Sequence, residues 1–259
     1  MDVFAAVTAL PEVEETADSS RAAFDAMLWD RKLRGAASEL SRRSALAGAA
    51  SSAGIDGIEI EWKVWEAGQA GDDTAMGRAA SGVVAMYAEL PSLGPVWERA
   101  PLQALAKMHT LVAVPVTPED VGRPRTGEPQ DPLHLGTSPA PQEVPARLTA
   151  LAQRITAPTS APALVVAAVV HAELMTLQPF TYGSGLVARA VDRLVLAGRG
   201  IDPDNWSVPE AGVHTQGRTT YARTLRGYAT GQPEAVAAWV RFYCAAVAAG
   251  TEGLAALVQ

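Results

Sequence analysis

The chain has 259 residues, nearly half of them hydrophobic, and carries 28 acidic against 21 basic side chains for a net charge of -7. That supplies one large core or two small ones, and the negative balance excludes a nucleic-acid surface, which needs a basic stripe. The lone Cys244 allows neither an internal disulfide nor a cysteine-rich metal cluster, the N-terminus lacks a basic leader, and the most apolar run (Ala161–Val170) stops at His171 and Glu173, short of a membrane span. A soluble, cytoplasmic protein with no membrane or nucleic-acid partner is expected.

In chain order, Met1 to Asp18 holds Pro11 and the acids Glu12, Glu14, Glu15 and Asp18 and reads as a loosely ordered lead-in. Ser19 or Ser20 caps a long expected helix from about Arg21 to Ala50, with Phe24, Met27, Leu28, Leu33 and Leu40 on one face and Arg42 and Arg43 on a solvated one. Alternation of apolar and charged residues from Ile58 to Trp65 suggests a short strand. Asp73 is read as the cap of a helix through Leu90, and Pro101 opens another to about Val114 with His109 at the core edge.

Val114 to Pro145 is rich in Pro and Gly, the signature of a long loop, and Glu143 to Thr156 is an amphipathic helix. Leu164 to Leu177 is apolar almost all round, which predicts a helix buried on every side. Pro179 ends it, and Leu186 to Leu196 resumes helical spacing with Arg189, Asp192 and Arg193 among the apolar positions. A loop is expected from Ile201 to Thr219, a helix from Tyr221 to Tyr228, and a last hairpin of helices, marked by Pro233, Trp239 and Phe242, running to Leu257.

Between the two central helices lies Gln178-Pro179-Phe180-Thr181-Tyr182-Gly183-Ser184-Gly185-Leu186-Val187-Ala188-Arg189. A glycine turn opening onto a helix N-terminus suits an anion, because first-turn N–H groups are free and glycine lets a phosphate approach the backbone; a sharp helix-to-helix bend is the plainer alternative. The stretch resembles the Fic (Fido) family signature H-P-F-x-[D/E]-G-N-G-R-x-x-R, keeping the proline, the phenylalanine, both glycines and the last arginine. Gln178 stands where that family has its catalytic histidine, Tyr182 where it has a magnesium-binding acid, Ser184 where it has an asparagine and Leu186 where it has the first arginine.

The resemblance implies a mainly α protein, a Fic-type helical domain with a short β-hairpin flap and an N-terminal helical extension: residues 1–95 for the extension and 96–259 for the core. Ser52 to Gly57 fits the family's inhibitory helix [S/T]-x-x-x-E-[G/N] with aspartate for glutamate, so Ser52, Asp56 and Gly57 would form a clasp on Arg189; a serine-rich helix end closed by Gly57 is the alternative. Gly122-Arg123-Pro124-Arg125 resembles the family's G-x-x-R before the flap. Arg125, Leu133, His134 and Leu135 would then hold a target peptide beside the site. His171 takes a packing or hydrogen-bonding role, and Thr220-Tyr221 corresponds to the region near a bound base.

Family members transfer AMP from ATP to protein hydroxyls. Such transfer needs a base, and an amide at Gln178 has no proton affinity near neutral pH. It also needs charge on the phosphate offset, and neither Tyr182 nor Leu186 does this, so magnesium is not expected at the site. The first reading is a pseudoenzyme whose Gly183, Ser184, Gly185 and Arg189 bind ATP, another nucleotide or a different phosphate compound, or which binds a protein through the flap. The second is an active transferase using another donor, or a base such as His134 or His214. The third is a helical interaction protein without a ligand, in which Asp56 and Arg189 are a structural clasp.

Overall fold

The structure, a computed structural model, describes residues 2–136 and 138–258. The chain begins with α1 (Val3–Thr8), capped by the Asp2 carboxylate, then α2 (Val13–Trp29) and the short α3 (Arg31–Gly35). The expected lead-in is therefore helical, Met1 lying outside the described residues. Phe4, Val7, Val13 and Ala17 are buried, and that burial outweighs the acids, two of which, Glu14 and Glu15, sit in the first turn of α2 where the helix dipole favours them.

The long helix expected from Arg21 to Ala50 is broken. Asp30 accepts N–H bonds from Lys32 and Leu33, starting α3, and Ala36 interrupts the chain again before α4 (Ala37–Ile55). Residues 58–61 are irregular and lead into α5 (Trp62–Glu66), not into a strand. Trp65 is buried with its indole N–H on the Ile60 carbonyl, so one aromatic anchor decides this segment, and among the described residues no neighbouring strand rewards the two-residue alternation.

Thr74, not Asp73, caps α6 (Ala75–Arg99), which runs past Leu90 through Pro91 and Pro95 because Leu90, Leu93 and Trp97 continue its buried face. Next come α7 (Pro101–Ala113), the loop, α8 (Val144–Thr156), α9 (Ala163–Leu177) and α10 (Ser184–Gly198). The expected loop at 201–219 contains α11 (Pro209–Gln216), begun by Pro209 at its first position; α12 (Arg218–Tyr228) and a single long α13 (Pro233–Ala249) follow. The chain closes with a 3-10 turn at Leu254–Val258 in place of a second terminal helix.

Helix α9 is the axis of the molecule. It is buried from Leu164 to Ala172 without interruption and packs on α10, α13, α12, α8 and α2. The Trp239 indole of α13 donates to the Ala168 carbonyl at 2.8 Å. Packing of α10 on both α9 and α6 fixes the glycine turn between α9 and α10 at the floor of a cleft.

Among the described residues there is no strand, so the β-hairpin flap is not formed. Residues 132–133 make a turn, Pro129, Pro132 and Pro139 have no N–H to donate, and Arg218 and Arg226 of α12 take the carbonyls of Pro132 and His134. Nor, among the described residues, is any helix long and apolar enough to cross a membrane.

Candidate functional site

The turn is built by backbone conformation. Gln178 ends α9 in the left-handed region (φ 45°), and Gly183 precedes α10 at φ 74°. A side chain at Gly183 would be strained by that φ and would press on Val112, whose Cγ1 lies 3.2 Å from the added carbon. Phe180 is buried with its ring stacked on His109 (centroids 3.9 Å apart, planes 12° apart). His109 Nδ1 accepts the Gly122 N–H, which anchors the start of the loop, and burial pushes the imidazole down to about 4 against a weaker pull from Asp120.

Arg125 is a buried pin. Its Nε donates to Gln178 O (2.7 Å), and its two terminal nitrogens donate to Gly127 O and Pro139 O. The loop backbone also bonds the turn directly, from Arg125 N to Pro179 O and from Gln130 N to Thr181 O. Leu133 is buried, Leu135 half-buried and His134 exposed, and Leu133 and His134 border a second pocket with Arg218, Thr219, Ala222 and Arg226 of α12.

Helix α10 lacks the usual cap. Its N-cap is a glycine, and the Ser184 hydroxyl turns back to bond both N–H and carbonyl of Phe180. Among the described residues no acceptor meets the N–H groups of Gly183, Ser184, Gly185 or Leu186. They border a pocket of about 340 Å³ whose other walls include Asp56, Ile58, Met76, Val116, Gln130 and Tyr182.

Behind Gly185 lies the clasp. Fully buried Arg189 donates from Nε to Ser52 Oγ (2.8 Å), and from one terminal nitrogen to Ser52 O (3.2 Å) and Asp56 Oδ1 (2.7 Å). Among the described residues its other terminal nitrogen has no hydrogen-bond partner, and it lies 3.1 Å from where a Gly185 side chain would begin, with both Asp56 oxygens 3.3 Å from the same point. Burial works against the guanidinium charge, but the Asp56 carboxylate together with Tyr221 and Tyr87 more than offsets it and the group stays above its usual range.

Asp56 caps the C-terminus of α4, where Gly57 (φ 87°) and Ile58 close a Schellman turn onto Gly54 O and Ala53 O. A carboxylate there opposes the dipole of its own helix but faces the favourable end of α10. Arg189 and α10 therefore account for its presence; α4 does not.

Two buried networks were not legible from the residue pattern. On α10, Arg193 forms a two-point pair with Glu210 of α11 (2.7 and 2.8 Å), joined by the Tyr87 and Ser44 hydroxyls. His171, wholly buried, bonds Asp192 (2.8 Å) through Nδ1 and the Tyr221 hydroxyl through Nε2. These pairings join residues far apart in sequence, and only the charged positions on an otherwise apolar α10 hinted at them.

Gln178 is buried with its side-chain oxygen unpartnered, and neither His134 nor His214 borders the pocket. Burial, then Asp56, pushes the Tyr182 phenol up to about 12, so it is neutral and does not suit magnesium. Among the described residues no three His, Cys, Asp or Glu side chains gather as metal ligands.

The Fic/DOC family model matches residues 100–196, the segment from α7 into α10. No curated protein matches the sequence. Among solved structures, a Fic family protein from Desulfovibrio desulfuricans G20 is similar at TM-score 0.76 and 18% identity, covering 93% of this chain and 73% of that one. Fic-1 (aa134 - 508) from C. elegans is similar at TM-score 0.71 and 18% identity (93% and 72% covered). A Fic domain containing signaling protein from Bacteroides thetaiotaomicron VPI-5482 is similar at TM-score 0.65 and 13% identity (93% and 97% covered). The matched segment holds the glycine turn and most of α10, and these Fic structures share the fold of this chain.

Proposed function

We propose that this chain is a Fic-fold protein that binds a phosphate-containing ligand at the N-terminus of α10 and does not carry out AMP transfer. The observation that carries this reading is a run of four backbone N–H groups, at Gly183, Ser184, Gly185 and Leu186, without an acceptor among the described residues at the wall of the pocket, with the buried, partly unpartnered Arg189 beside Gly185. Asp56 sits at the anion position beside this turn, so a phosphate displaces its carboxylate and takes over its contact with Arg189.

The losses at Gln178, Tyr182 and Leu186 bear on the reaction, since base, metal ligand and first cation are replaced together. Removing a general base alone costs on the order of a hundred- to ten-thousand-fold in rate. Recognition of a protein strand by the 132–135 segment has less support, because the Pro132 and His134 carbonyls already accept from Arg218 and Arg226.

Calorimetry with inorganic phosphate, AMP, ADP and ATP, with and without magnesium, tests the reading. Binding by at least one of them, lost on Gly185→Val, is the expected result; no binding by any of the four ends it. Incubation of lysate with labelled ATP is expected to leave no transferred AMP, and a labelled protein that disappears on Arg189→Met would contradict the non-enzymatic reading.

A further inference from the structure

We propose that the ligand is a small phosphate monoester with an apolar body, taken up without magnesium and in preference to a nucleoside triphosphate; this rests on the phosphate-binding reading above. The walls carry a charge inventory that decides between the two. Among the described residues Asp56 is the one charged side chain bordering the pocket, and the buried Arg189 behind Gly185 is already neutralised by it. Arg218 reaches the rim near Gly57 through one nitrogen while the other donates to the Pro132 carbonyl, so its charge sits at the rim and not among the lining residues.

The turn therefore offers the half-charge of the α10 dipole, its N–H groups and one arginine released when Asp56 swings away. That set matches a single phosphate of charge about -1.5 to -2. A chain of linked phosphates would have to bring its own cation into a site whose one lining carboxylate, Asp56, is the group the phosphate displaces.

The rest of the pocket is apolar. Ile58, Met76, Ala79, Val116 and Leu186 form its sides, and the polar groups above the turn are Gln130 and the unpartnered Tyr182 hydroxyl. At about 340 Å³ the pocket is at the small end of the range for small-molecule sites. An aryl or short alkyl group on the phosphate fits these walls; a hydrated, multiply charged chain does not.

The test is calorimetry on the wild-type chain with inorganic phosphate, phenyl phosphate and ATP, each with magnesium and again with chelator. Phenyl phosphate is expected to bind at least about ten-fold more tightly than inorganic phosphate, because its ring leaves water for the apolar walls. Chelator should not change that affinity, and ATP should bind more weakly than phenyl phosphate in both conditions. Met76→Ser, at a wall position 43% exposed and so harmless to folding, should shrink the phenyl-to-inorganic ratio while leaving inorganic phosphate unchanged. The proposal is overturned if magnesium ATP binds more tightly than phenyl phosphate, if chelator abolishes phenyl phosphate binding, or if the ring adds nothing. Absence of binding by all three would instead remove the underlying phosphate-binding reading.

Discussion

Replacing Asp56 with alanine separates the two roles of the clasp. The substitution leaves the Arg189 guanidinium fully buried with only Ser52 Oγ and Ser52 O as acceptors. Breaking a fully buried pair from one side costs about 3 to 5 kcal/mol. Asp56, however, borders a pocket and its side chain is 9% exposed, so water reaches the vacated place, and about 2 to 3 kcal/mol is expected. For a chain of this length that is roughly 5 to 10 °C in Tm. Thermal unfolding by circular dichroism in phosphate-free buffer measures it. Inorganic phosphate at a hundred times its Kd should then restore about 2.7 kcal/mol, and wild type should gain less because its own carboxylate competes. Removing both charges, in Asp56→Ala with Arg189→Met, should be milder than Asp56→Ala alone and insensitive to phosphate. If Asp56→Ala is as stable as wild type, or gains no more from phosphate than wild type does, the idea that Asp56 holds an anion's place is wrong.

Other outcomes follow from single contacts. His109 titrates near 6.5 when unfolded and near 4 in place, so the unfolded chain takes up the proton first as pH falls; His109 contributes about 2 to 3 kcal/mol that is fully present above pH 6.5 and lost between pH 6.5 and 4. Urea unfolding across that window should show a flatter profile for His109→Asn, and parallel profiles would refute the assignment. Arg125→Met leaves three loop and turn carbonyls without their donor and should cost about 3 kcal/mol and speed protease cleavage within residues 122–139; cleavage at the wild-type rate would show that the loop is held by other contacts. Gly212→Ala puts a carbon 1.8 Å from the Ala246 carbonyl, and a loss of at least about 2 kcal/mol is expected by chemical denaturation.

How far the sequence could be read depended on the range of the interactions that fix each element. The helices around the turn were legible because their signals are local: continuous burial from Leu164, a proline stop at Pro179, glycines, then helical spacing from Leu186. The Ser52, Asp56 and Arg189 grouping was approached through a resemblance, and the structure places these side chains within hydrogen-bonding distance. Local patterns misled where a distant partner decides. Ile58 to Trp65 alternates like a strand, yet Trp65 buries as a helix anchor. The acids before Asp18 suggested disorder, yet Phe4 and Val13 hold that segment on the core. Helix α11 hides in a stretch rich in turn residues because Glu210 is buried by Arg193, sixteen positions upstream of Pro209. The pocket walls, Ile58, Met76, Val116 and Gln130, come from four separate segments and share no motif.

Amide spectra of nitrogen-15-labelled protein titrated with inorganic phosphate test the central claim most directly, since each backbone N–H reports its own acceptor. The account predicts that Gly183, Ser184, Gly185 and Leu186 shift together and saturably to lower field, more tightly in Asp56→Ala than in wild type, while Gly77 in the side-chain-capped first turn of α6 stays in place. Four stationary resonances at that turn, at phosphate concentrations that move others, would contradict it.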